Sequence, residues 1–205
     1  VESRVLARVW ADFEPVIIYV HHQTAPFPTR IWLPPFAEPV ATRVPPLMSR
    51  QVNTIGMAIG ALLESRGQQG ATHMGTGFDA WYPGYVDYMP MLQHRIAYWT
   101  ETGLYRYATP RFYTVQDFPQ SSRTLRPQSL YSSPWEGGWW RLGDAVDYML
   151  TGSIATLDYA AKYRNDLLFN KYQSAREVVE TFESEPPYAY FIPTDQRDPV
   201  APVEM

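Results

Sequence analysis

The chain has 205 residues, of which 45% are hydrophobic and 19% are charged, so its composition is that of a folded domain and not of a disordered segment. The formal net charge is −4 and no basic block occurs, which argues against nucleic acid as the partner. There is no cysteine, which excludes disulfides, thiolate metal sites and cysteine nucleophiles, and no apolar run approaches the roughly 18 residues of a transmembrane segment.

Two strands and a helix are predicted in the first half of the chain, before a long loop. Residues 15–20 are a continuous apolar, β-branched run, which predicts a buried strand of a parallel sheet. Residues 29–33 predict a second, short strand. Ser49 is a candidate cap for a helix whose apolar residues recur at helical spacing, and Gly67 is a suitable stop. Residues 67–90 have no periodicity and predict a long loop, a kind of segment that is often functional.

The second half of the chain is predicted to be mostly loop and helix. Residues 95–101 indicate another strand, and prolines divide residues 104–140 into loops. Residues 142–183 have the pattern of one or two amphipathic helices, with Gly152 as a candidate bend. After a proline break, residues 186–193 predict a short strand. We see no internal repeat.

Two of the four histidines, His21 and His22, stand at the end of the first predicted strand. Open α/β sheets place their sites at the carboxyl ends of strands, and imidazole is the commonest protein metal ligand. Because adjacent side chains on a strand point to opposite faces, at most one of the pair should face a given site. The dipeptide alone leaves two interpretations open, a metal ligand or a hydrogen-bonded structural histidine.

Glu101 is the second candidate for chemistry. The segment AYWTETG places this carboxylate at the end of an apolar strand, just before Gly103. A carboxylate there is costly unless it is solvated, paired or functional. The alternative is an ordinary charged residue at a strand edge.

The segments VIIYVHHQ and, 80 positions later, IAYWTETG resemble the zinc carboxypeptidases of the carboxypeptidase A type. The resemblance is to a large bacterial branch with similar HHQTGP and TET-G segments, and SIATLDYAAKYRNDLLFNKY is similar to the helical tail of that branch. It extends from about Pro15 to Pro193. It implies an α/β fold with a mixed sheet and flanking helices, incomplete in this chain. Residues 1–185 would be the carboxyl-terminal half of that domain, and residues 186–205 the start of a following domain.

The resemblance also implies roles at the two strand ends. His21 would be the third ligand of a zinc ion, and His22 a neighbouring or substrate-facing residue, although the reverse order of the pair stays open. Glu101 would be the general base and acid, which takes a proton from the zinc-bound water and passes it to the leaving amine.

Residues of the long loop acquire candidate roles in the same way. The family has a mobile tyrosine before the base, for which Tyr82 is the first candidate here, with Tyr85 and Tyr88 behind it. Asp87 lies 14 residues before Glu101, where the family has a residue of its specificity pocket.

The chain departs from the family in its zinc ligands. The first two ligands of the family come from an H-x-x-E motif upstream of the third, and this chain has none: neither His73 nor His94 is followed by glutamate three positions later. Only Arg4 and Arg8 precede His21, whereas the family's substrate-binding arginines lie upstream. A catalytic zinc needs three protein ligands. We therefore expect either a fragment, completed by a missing upstream segment or another protein chain, or a non-catalytic remnant.

The functional expectation is zinc-dependent hydrolysis of peptides or amides by the parent protein, with this chain inactive alone. The family resemblance implies a periplasmic or secreted location. A second hypothesis is a non-catalytic binding or structural subunit that uses the aromatic-rich loops at residues 81–88 and 131–140 as a contact surface. Those loops are equally suited to wall a concave site or to serve as rigid packing. Carbohydrate binding on aromatic platforms is a third option.

Overall fold

The computed structural model describes residues 2–24, 28–73, 78–82, 84–104, 106–198 and 200. The elements within them, in chain order, are helix α1 (Glu2–Phe13), strands β1 (Ile17–Thr24), β2 (Ile31–Leu33) and β3 (Ala37–Val40), helix α2 (Pro46–Ser65), strands β4 (Ala71–His73), β5 (Asp79–Ala80), β6 (Ile96–Gly103), β7 (Arg111–Tyr113) and β8 (Gly138–Trp140), and helices α3 (Leu142–Lys162) and α4 (Arg164–Ser184). Short 3-10 turns lie between several of them.

The central sheet has four strands in the order β1-β6-β2-β4. Strands β1 and β6 are parallel, β2 is antiparallel to β6, and β4 is parallel to β2. Every residue of β6 is buried, because strands flank both of its edges and helices α2 and α3 pack against it. The predicted α/β class, with a mixed sheet and flanking helices, is confirmed.

Strand β1 is the terminal strand of this sheet. It pairs with β6 along its whole length, from Ile17 opposite Ile96 to Thr24 opposite Gly103. Among the described residues no strand pairs with its other edge, and its apolar residues are half-buried. The predicted strand and its parallel partner are therefore correct, whereas the predicted full burial is wrong, because burial requires a neighbour on both edges.

Two glycines allow helices α2 and α3 to approach the sheet closely. A methyl group at Gly56 would lie 2.0 Å from the Pro34 carbonyl oxygen. A methyl group at Gly152 would lie 2.5 Å from the Tyr19 hydroxyl oxygen. Helix α3 runs unbroken through Gly152, the residue at which a bend was predicted, and this glycine accommodates a side chain of β1.

The start of one predicted helix and the existence of one predicted strand are also corrected. The helix expected from Ser49 begins at Pro46, because proline suits a first helical turn where no backbone N–H is needed, and Ser49 lies inside the helix. The strand expected at residues 186–193 is not formed, and residues 185–198 contain no strand. Tyr190 and Phe191 are exposed there, and neither belongs to a described sheet.

No helix among the described residues combines the length and the apolar character needed to cross a bilayer. The aromatic loop at 131–140 is mainly a packing loop. Trp135 and Trp140 are buried, and their rings flank the Arg30 guanidinium at 4.0 and 4.7 Å from its central carbon. Trp139 is exposed.

Candidate functional site

The parallel register of β1 and β6 decides which histidine meets Glu101. His22 lies opposite Glu101, and His21 lies opposite Thr100. Because side chains alternate along a strand, His22 and Glu101 occupy one face of the sheet and His21 the other. The sequence predicts both histidines at the strand end, and the pairing of β1 with β6 shows which of them lies beside Glu101.

His22 and Glu101 are in direct contact. The Nδ1 atom of His22 lies 2.9 Å from Oε1 and 3.0 Å from Oε2 of Glu101, and because a carboxylate only accepts, the imidazole donates through Nδ1–H. The Glu101 residue is only 7% exposed, whereas the His22 side chain is 64% exposed. Burial raises the pKa of Glu101, and the hydrogen bond from His22 opposes that rise.

His21 lies against helix α3. Its Nε2 atom is 2.9 Å from the Ser153 Oγ, and its ring lies 4.1 Å from the Tyr19 ring. Burial lowers the pKa of His21, which favours the neutral imidazole. The residue that the sequence ranks first as a metal ligand is therefore not brought to Glu101, whereas its neighbour is.

A cleft of about 430 Å³ opens beside the His22–Glu101 pair. Its aromatic walls are Phe78, Tyr85 and Trp99, and its carboxylates are Asp79, Asp87 and Glu101. Asp87, the predicted specificity-pocket residue, is 7% exposed. Burial raises the pKa of Asp87 to about 6, with smaller contributions from the neighbouring carboxylates.

The three candidate tyrosines have different positions. Tyr82 is 52% exposed and packs on Tyr85, with 4.7 Å between the ring centroids, but it does not line the cleft. Tyr85 does line it. Tyr88 is buried. Its hydroxyl accepts a hydrogen bond of 2.8 Å from Trp99 Nε1 and donates one to the Asp79 carbonyl. Of the three candidate tyrosines, Tyr85 is therefore the one that lines the cleft.

Phe78, Asp79 and Trp99 are cleft residues that sequence reasoning missed. Trp99 could have been found, because it stands two positions before Glu101 on the same strand and must share its face. Phe78 and Asp79 lie in the long loop, where no periodicity indicated their orientation.

The remaining histidines do not contribute to the cleft. His73 Nδ1–H donates to the Pro34 carbonyl at 2.7 Å, and His94 Nδ1 lies 2.8 Å from the Ser174 hydroxyl. In the part of the chain that the structure describes, no group of three or more histidine, aspartate or glutamate side chains is arranged to hold a metal ion.

The fold and this site define an α/β protein with an imidazole–carboxylate pair near the carboxyl ends of two parallel strands, beside an acidic, aromatic cleft. No family model matches the chain, and neither curated proteins nor solved structures gave a significant match.

The contact predicts that His22, and not His21, controls the ionisation of Glu101. Substituting His22→Phe removes the hydrogen-bond donor and keeps an aromatic ring, so the pKa of Glu101 should rise. The matched substitution His21→Phe, on the opposite face, should leave it unchanged. Carboxyl ¹³C NMR titration of Glu101 measures both. An equal effect of the two substitutions, or none, would contradict the assignment.

Proposed function

We propose that this chain is part of a zinc-dependent peptide or amide hydrolase of the carboxypeptidase A type, and that Glu101 is its general base and acid. The observation that carries the proposal is the contact between His22 and Glu101, at 2.9 and 3.0 Å, in a cleft large enough for a small ligand. Within this proposal His22 takes the ligand position that the sequence assigned first to His21.

The zinc site itself is incomplete in the described residues. A catalytic zinc ion needs three protein ligands and an open position. Beside Glu101 the described residues supply one imidazole, that of His22, and no cluster of three suitable donors. They do not fit a complete site, so further ligands would have to come from outside the described residues or from another chain.

The protein's own contribution is proton transfer. In amide hydrolysis a water O–H bond breaks as its oxygen attacks the carbonyl carbon, and Glu101 accepts that proton. The C–N bond then breaks, and Glu101 returns the proton to the leaving nitrogen. Burial raises the pKa of Glu101, which favours the return of the proton to the leaving nitrogen. The His22 hydrogen bond fixes the orientation of the carboxylate.

Tyr85 and Asp87 would contact the substrate, because both line the cleft beside the pair. Tyr82 packs against Tyr85 and does not line the cleft.

A second candidate function is a binding or structural subunit. The observation that favours it is a group of exposed apolar side chains between residues 82 and 92, namely Tyr82, Tyr85, Val86, Met89 and Leu92, of which Tyr85 and Val86 line the cleft. Such a surface suits contact with another protein. In that case Asp87 and Glu101 would be buried acids beneath an interface.

Metal analysis separates the two candidates. We expect residues 1–205, incubated with zinc and dialysed, to retain far less than one zinc per chain, because one imidazole is a weak site. The protein as isolated from its source should contain zinc and hydrolyse blocked peptides, and His22→Phe should lose both where His21→Phe does not. A source protein with neither zinc nor hydrolysis would favour the binding subunit.

A further inference from the structure

We propose that residues 188–192 of a second copy of this chain add as a strand to the outer edge of β1. Their alternate side chains enter an apolar pocket on the His21 face of the sheet. The exchange is reciprocal, so that two chains form a symmetric dimer. The proposal is independent of the hydrolase function, because it uses neither the contact between His22 and Glu101 nor the cleft beside it.

The outer edge of β1 carries backbone groups that point away from the sheet. In a parallel pair of strands, alternate residues direct both their N–H and their C=O to the same neighbour. The carbonyl oxygens of Val16 and Thr24 accept hydrogen bonds of 2.9 and 3.0 Å from the amides of Ile96 and Leu104, so the even-numbered residues face β6. The backbone groups of residues 17, 19, 21 and 23 therefore point outward, where none of the described strands pairs with them.

This edge lacks the features that usually keep an open strand from pairing. Strand β1 has eight residues, contains no proline, lysine or arginine, and keeps one register with β6 without a bulge. A long, regular and uncharged edge is a template for another strand.

A pocket beside the same edge is suited to apolar side chains. It has a volume of about 600 Å³ and lies on the face of β1 that carries Tyr19 and His21. Its walls on the helix side include Leu157 of α3 and Leu168 of α4, both exposed. Because neighbouring strands are about 4.8 Å apart, alternate side chains of a strand added to β1 would lie over this pocket. In such complexes the main chain supplies affinity and the pockets select the side chains.

The segment at residues 188–192 has the matching chemistry. Its sequence YAYFI has the β-forming composition of a strand, and in an extended chain Tyr188, Tyr190 and Ile192 share one face. Tyr190 and Phe191 are 81% and 90% exposed, and the segment belongs to no described sheet. Pairing with β1 would cover these rings and give both segments hydrogen-bond partners.

The length of the connection favours a second copy over the same chain. Leu168 lines the pocket, and Ser184, the last residue of α4, lies about 24 Å further along that helix. Tyr188 follows Ser184 by four residues, which extend over at most about 14 Å. Tyr188 therefore cannot return to the pocket of its own chain, whereas the pocket of a second chain is open to it.

The first test is the sedimentation velocity of residues 1–205 between about 1 and about 300 µM, over which we expect a shift from monomer to dimer. Tyr190→Pro and Phe191→Pro are made separately. Since alternate residues of a strand donate to the same neighbour, one of the two removes a donor to β1 and should weaken dimerisation about tenfold or more. Thr194→Pro, an exposed site outside the strand, should not.

A second pair of variants examines the pocket. Leu157→Asp places a charge among its apolar walls and should also weaken the dimer. Leu47→Asp makes the same change at an exposed site on α2, away from the pocket, and should leave dimerisation unaltered. All five substituted positions are exposed, so equal melting temperatures of the dilute chains exclude unfolding as the cause.

Amide hydrogen exchange locates the contact. At about 300 µM the amides of residues 17, 19, 21 and 23 should exchange more slowly in the unsubstituted chain than in the weakened proline variant. A chain that stays monomeric over the whole range overturns the proposal. A dimer that neither proline substitution weakens, or one that leaves these four amides unprotected, overturns it as well. No measurement needs zinc or hydrolysis, so its failure and that of the proposed hydrolase function are distinguishable.

Discussion

Replacing Glu101 with glutamine should lower kcat for peptide hydrolysis by about 10²–10⁴-fold in the protein isolated from its source, with little change in KM. The amide keeps an oxygen that accepts the hydrogen bond from His22, so the geometry of the pair should persist. It cannot accept a proton from the attacking water or return one to the leaving nitrogen. The loss therefore falls on the chemical step.

The control for this substitution is Glu136→Gln, which makes the same change at an exposed position away from the cleft and should leave kcat unaltered. Activity of Glu101→Gln within a few-fold of the unsubstituted protein would remove Glu101 from the reaction. The hypothesis of a binding subunit would then be the better account of the cleft.

Replacing Gly56 with alanine should destabilise the fold by more than about 3 kcal/mol. The added methyl carbon would lie 2.0 Å from the Pro34 carbonyl oxygen and 2.7 Å from the carbonyl carbon. Both are backbone atoms, so no side-chain rotation relieves the clash, and helix α2 would have to move away from the sheet. Ile55 and Ile59, fully buried on that helix, would lose part of their packing.

Gly143→Ala is the matched control, because nothing lies within 4 Å of a methyl group at that position of α3. It should be neutral or stabilising by up to about 1 kcal/mol, since alanine favours a helix. Chemical denaturation of residues 1–205 measures both free energies of unfolding. Similar values for the two variants would mean that α2 approaches β2 less closely than the structure indicates.

The strands that carry the candidate site could be predicted from the sequence. The runs at 15–20 and 95–101 are apolar and β-branched, and they became β1 and β6. Alternation also predicted that His21 and His22 face opposite sides. Which of them meets Glu101 could not be predicted, because that depends on the register between two strands about 80 residues apart and on the face that α3 covers.

Other features of the site and of the fold could not be predicted from local sequence patterns. The tyrosines of the loop at 81–88 carry no periodicity, so the choice of Tyr82 over Tyr85 had no geometric basis. The apolar segment at 186–193 has the composition of a strand, but a strand forms only where another edge accepts its hydrogen bonds. Helix α1 was not predicted at all, although it is regular from Glu2 to Phe13.

The terminal position of β1 has a consequence for the lifetime of the His22–Glu101 pair. Proteins open locally, and strands held on one edge open more readily than interior strands. Glu101 lies on β6, which has partners on both edges, whereas His22 lies on β1, which has a described partner on one edge only. Fraying of β1 would therefore take the imidazole away from a carboxylate that stays in place. Amide hydrogen exchange along β1 reports how often the pair breaks, and a segment that paired with its outer edge would slow that exchange.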